Sequence, residues 1–196
     1  MKSCSSLIKP VGGAALALLS ASALAHVGAD SGAHHGFLAG FTHPLTGLDH
    51  LAAMLAVGMW SAVTSKRVWA APLSFAALLL LGALAAKAGL ALPGVEPMIA
   101  ASLLVLGLLL ATRQHLPAAA SALLVGGFAL FHGAAHGHEL TGTAALAGMV
   151  ASTLLIHLAG LGLGRAMQHR SAALPRWTGS AIALVGLVSG WSLVSL

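Results

Sequence analysis

The chain has 196 residues, of which 58% are hydrophobic and only 7% charged, and its mean hydropathy is +0.95. So few charges cannot cover the surface of a soluble domain, which excludes a water-soluble globular protein and points to an integral membrane protein. The basic balance, with a formal net charge of +5, is not a nucleic-acid signature, because the Lys and Arg residues stand beside hydrophobic runs and form no patch.

Residues Met1 to Lys9 form a short basic stretch, Pro10 to Leu24 is an apolar run, and Ala23-Leu24-Ala25 is an A-x-A box. This is the pattern of a cleaved secretory signal peptide over 1–25, leaving 26–196 as one transmembrane domain that begins at His26. The single cysteine, Cys4, falls inside the signal, so the mature chain is expected to carry no disulfide and no thiolate ligand. From His26 to Gly40 the chain is small and polar, with Asp30, His34 and His35.

Six apolar runs follow, at about 43–63, 68–87, 96–112, 116–134, 141–164 and 176–196. Each is close to the length a spanning helix needs. The expected fold is all-α: a polytopic helical membrane protein with six transmembrane helices after the cleaved signal. Lys66, Arg67, Arg113, Arg165, Arg170 and Arg176 lie in alternate links, and the positive-inside rule places those links in the cytoplasm. A cleaved signal puts the mature amino terminus outside, and six spans return the carboxyl terminus to the same side. The expected location is therefore the bacterial inner membrane with both mature termini periplasmic. Trp60, Trp69, Trp177 and Trp191 fall near span ends, as interfacial aromatics do. Gly160-Leu161-Gly162-Leu163-Gly164 has no βαβ setting and reads as helix packing.

The polar residues inside these runs carry the functional signal. A continuous helix over 43–63 puts His43 and His50 two turns apart, about 20° short of facing alike. Asp49 is then a carboxylate in a bilayer, which costs roughly 2.5–3.5 kcal/mol and needs a partner. No Lys or Arg lies mid-span, so the partner is a histidine or a bound cation. At the end of the fourth run stands Phe131-His132-Gly133-Ala134-Ala135-His136-Gly137-His138-Glu139. His132 and His136 share a helical face, and Glu139 returns to it if the helix continues through Gly137. His157 lies mid-way along the fifth run, with Thr153 and Met149 one and two turns before it. Read along the spans, His26, His43, Asp49, His50, His132, His136, His138, Glu139 and His157 make a series of candidate metal ligands running inward from the outer solution. Imidazole and carboxylate without thiolate suit Ni(II), Co(II), Cu(II) and Zn(II). Ligands spread along a path fit transport better than one tight site.

The stretch His43-Pro44-Leu45-Thr46-Gly47-Leu48-Asp49-His50 with Met54 and Gly58-Met59-Trp60, the Phe131 to Glu139 cluster, and His157 to Gly162 together resemble the HupE/UreJ family of nickel permeases. The resemblance implies secondary uptake of Ni(II) serving hydrogenase or urease maturation, with His43, Asp49, His50, His132 and His136 handling the metal. It leaves Co(II) open. No resident cofactor is expected, and the expected partners are the divalent ion and membrane lipid. Two other classes compete: a membrane-embedded metalloenzyme, weakened by the absence of H-E-x-x-H, and a periplasmic metal sensor or assembly factor. The topology has a direct test. Amino-terminal sequencing should find residue 26 first, and reporter fusions at 115 and 170 should behave as cytoplasmic; a retained Lys2, or periplasmic behaviour at both sites, would overturn it.

Overall fold

The computed structural model describes residues 34–137 and 139–195; the expected signal peptide over 1–25, His26 and His138 lie outside them. In chain order come β1 (His34–His35), α1 (Phe37–Thr46), α2 (Leu48–Thr64), α3 (Ala70–Lys87), α4 (Val95–Thr112), α5 (Ala118–His136), β2 (Leu140–Thr141), α6 (Thr143–Arg170) and α7 (Ala173–Val194). The protein is a helical membrane protein. Among the described residues, α3 to α7 are each long and apolar enough to cross a bilayer, whereas α2 has 17 residues and is shorter.

The first expected span needs correction. Instead of one helix over 43–63, the chain forms α1 and α2 with a break at Gly47, whose backbone is extended (φ −83°, ψ 109°). Glycine pays the largest entropy cost inside a helix, and Pro44 has already removed one amide from the ladder. The exposed carbonyl of His43 is taken by the Thr46 hydroxyl at 2.8 Å. Asp49 therefore sits in the first turn of a new helix, where an amide and the positive end of the helix dipole favour a carboxylate. The fifth run also extends further than expected, to Arg170, since nothing in it breaks a helix before Ser171.

Backbone contact at glycine holds the helices together. A methyl group on Gly133 of α5 would lie 1.9 Å from the Leu79 carbonyl oxygen of α3, and one on Gly82 of α3 would lie 2.1 Å from that of Leu130. Between α2 and α6, Gly58 meets the His157 carbonyl and Gly160 meets that of Leu55. Between α4 and α7, Gly107 and Gly179 meet in the same way. Apolar lipid offers no hydrophobic drive for helix association, so these close approaches carry the packing.

The core between the helices contains Met54, Val57, Trp60, Phe75, Leu79, Leu103, Leu106, Leu110 and Met149. Leu184, Leu187, Trp177 and Trp191 of α7 are exposed, as lipid-facing side chains would be. At the end of the bundle that carries Lys66 and Arg67, the Trp60 indole donates to the Gln114 carbonyl at 2.8 Å and the Gln168 amide donates to that of Val63 at 3.1 Å. At the opposite end β1 and β2 pair in parallel, His34 opposite Leu140 and His35 opposite Thr141.

Gly133→Ala should lower the midpoint of thermal unfolding in detergent by about 2–12 °C, from an overpacking cost of about 1–3 kcal/mol. Gly162→Ala, where an added methyl meets nothing within 4 Å, should leave it unchanged. Equal midpoints for the two variants would show that the α3–α5 contact does not limit stability.

Candidate metal site

Three side chains converge at the end of the bundle marked by the strands. His43 lies near the end of α1, His136 is the last residue of α5, and Glu139 follows in the turn before β2. The sequence pattern allowed Glu139 to reach this face by continuing the helix through Gly137. The helix instead stops at His136, and the Glu139 amide donates to the His136 carbonyl at 3.1 Å, a turn that folds the carboxylate back three residues.

His43 Nε2 lies 2.7 Å from His136 Nδ1 and 2.9 Å from Glu139 Oε2, while His136 Nδ1 and Glu139 Oε2 are 3.4 Å apart. A triangle with these sides has a circumradius of about 1.8 Å, so an ion just off its plane reaches all three atoms at about 2.0–2.2 Å, the length of ordinary metal–imidazole and metal–carboxylate bonds. Ligands at right angles around such an ion are about 2.9 Å apart, close to the sides seen here. This is the one group of three or more such ligands, among the described residues, close enough to hold a metal ion. Hydrogen bonding from the His136 and then the His43 imidazole holds the Glu139 carboxyl well below the usual carboxylate range. Half-exposed Glu139 thus presents a carboxylate held toward its charged form at the strand end of the bundle.

Below this cluster the imidazoles continue inward. The rings of His50 and His136 are 4.3 Å apart, and those of His50 and His132 are 4.6 Å apart at 85°. Asp49 Oδ1 accepts from the His50 amide at 2.8 Å and from its Nδ1 at 2.9 Å. Asp49 is therefore tied to His50 as its orienting partner, the way carboxylates hold metal-binding imidazoles. Gly47 lies under this pair, since a methyl group there would come within 3.2 Å of Asp49 Oδ1. His132, fully buried, faces the hydroxyl of Ser102 at 2.8 Å.

His157 stands apart from these residues and is reached across Phe75, whose ring is 5.5 Å from His132 and 5.1 Å from His157. It is buried with Ser152 and Thr153 on α6. The hydroxyls of those two residues and both ring nitrogens of His157 make no hydrogen bond among the described residues.

Two residues of this chain of rings were not singled out in the sequence. Ser102 is the lone hydroxyl in the interior of the α4 run, a signal that was available; Phe75 sits in a leucine-rich stretch and gives none.

The comparison with known proteins agrees in extent with this architecture. The family model described as "HupE / UreJ protein" matches residues 14–189. A curated relative, Protein HupE of Rhizobium leguminosarum bv. viciae, is 43% identical over 179 residues, covering 88% of this chain and 92% of the relative. No solved structure matches the chain. With a family model spanning nearly all of the described residues and a relative matched along most of both lengths, the chain belongs to the HupE/UreJ family.

Proposed function

We propose that this protein takes up a divalent transition-metal ion, nickel(II) first and cobalt(II) second, and carries it from the periplasm to the cytoplasm across the inner membrane. The observation that carries the reading is the convergence of His43 Nε2, His136 Nδ1 and Glu139 Oε2 at one end of a helical bundle, with further imidazoles leading inward from it. Nitrogen with one carboxylate oxygen is a donor set for nickel and cobalt, and the absence of thiolate disfavours a structural zinc site. The preference for nickel rests on the HupE/UreJ resemblance, as does service to hydrogenase or urease maturation.

The ion first meets the anionic Glu139, exchanges its water for the two imidazoles beside it, and passes inward by ligand exchange to His50 and His132. Ligands divided over several steps keep each complex weak enough to dissociate, which conduction requires. The end carrying Lys66, Arg67 and Arg113 faces the cytoplasm in this reading and the strand end faces the periplasm, with α2 completing six crossings. His157 and His26 are candidates for later and earlier contacts on the same route.

In this reading Asp49 acts through His50. Asparagine keeps an oxygen that can accept both bonds, so uptake per folded molecule should fall less than about tenfold in Asp49→Asn, against about 10–100-fold in Asp49→Ala. Similar loss in both variants would make the charge itself essential and place the carboxylate on the ion.

The function is tested by whole-cell uptake of radiolabelled nickel and cobalt, with protein quantified in the membrane. His43→Ala, His136→Ala and Glu139→Gln should each lose at least tenfold. His169→Ala, at the far end of α6, should transport normally. Wild-type protein that accumulates neither metal, or equal loss in all four variants, would defeat the reading.

A further inference from the structure

Ser102 is fully buried on α4, and its Oγ lies 2.7 Å from the Ile99 carbonyl and 2.8 Å from His132 Nε2. A hydroxyl has one hydrogen, and a carbonyl oxygen can only accept. The hydrogen therefore goes to Ile99. What remains facing His132 is a lone pair, so Nε2 must be the protonated nitrogen of a neutral His132 ring. Its other nitrogen, Nδ1, then carries the ring's metal-binding lone pair. Nδ1 is buried and has no hydrogen-bond partner among the described residues.

Asp49 makes the opposite choice at the neighbouring ring. Its carboxylate accepts from His50 Nδ1, which leaves the lone pair on Nε2. The two rings thus meet edge to face in opposite tautomers, each fixed by a side chain outside the metal path.

We propose that Ser102 is a positioning residue that locks His132 with its Nδ1 lone pair available, making His50 and His132 a second, all-nitrogen station for the ion beneath the outer cluster. The inference rests on the transport reading above and adds a residue and a step to it. With two nitrogens and no carboxylate in contact with the ion, the inner station binds more weakly than the outer one, so the ion moves on. Ser102 never touches the ion.

The tautomer is measured first, without metal, on the full-length protein labelled with nitrogen-15 histidine and reconstituted in lipid. The His132 signal, identified by its loss in His132→Gln, should show protonated Nε2 and unprotonated Nδ1. Protonation at Nδ1 overturns the proposal and leaves the transport reading standing, since that reading specifies no tautomer. Two variants then give the functional readout. Ser102→Ala should reduce nickel uptake per folded molecule about tenfold, while nickel binding to the purified protein at the outer cluster changes less than twofold. Ser102→Thr, which keeps the hydroxyl, should restore most of the uptake. Wild-type uptake by Ser102→Ala overturns the proposal, as does a Ser102→Thr protein that is folded yet as impaired as alanine. If Ser102→Ala does not fold, the tautomer measurement and the uptake of Ser102→Thr decide.

Discussion

Imidazole rings buried in a helical bundle, each with two nitrogens that seek partners, are the constraint on which the rest of the structure depends. Each ring must be given a partner that sets which nitrogen donates, or its burial would cost several kcal/mol. For the four rings nearest the strand end the chain supplies such partners: Asp49 for His50, Ser102 for His132, and Glu139 shared between His43 and His136. The break at Gly47 follows from the same demand, because only a helix start offers the Asp49 carboxylate an amide and a favourable dipole at membrane depth. The glycine contacts follow as well. They bring α3 against α5 and α2 against α6 closely enough for rings on different helices to touch.

Much of this was legible in the sequence for physical reasons. The apolar runs exceed what any soluble fold tolerates, so the helical membrane class and most helix positions could be read directly. His132 and His136 were placed on one face by their spacing, and His43 and Glu139 by their nearness to span ends. The contact between them was not legible, because it joins residues 93 positions apart and depends on how α1 crosses α6. The break at Gly47 was hidden by continuous hydrophobicity on both sides, although Pro44 and Gly47 were its visible components. For Asp49 the sequence left a histidine or a bound cation as partner, and the adjoining His50 ring fills the first of these places; helical spacing alone points neighbouring side chains apart, and the first turn of a helix relaxes that rule. Ser102 was passed over because a single serine in a leucine-rich span is usually satisfied by its own helix. It is so satisfied here, through Ile99, and that bond is what frees its oxygen for His132.

The outer and inner groups differ in chemistry as well as depth. The outer cluster includes a half-exposed carboxylate that exchanges with solvent, while the rings below it lie among leucine, methionine and phenylalanine. The carboxylate nearest those inner rings, Asp49, is turned to His50, whose amide and Nδ1 both donate to it. Phe75 lies between His132 and His157 as a ring with no lone pair to offer, so any passage to His157 must go around it.

The pairing of β1 with β2 has a consequence for how the protein is made. Residues 34–35 can close on residues 140–141 only after α1 to α5 have been synthesised, and the same closure brings His43 to His136 and Glu139. A nascent chain that stops short of β2 holds His43 and His50 without the histidines of α5. The ribosome must therefore deliver roughly seven tenths of the 196 residues before the outer cluster can exist.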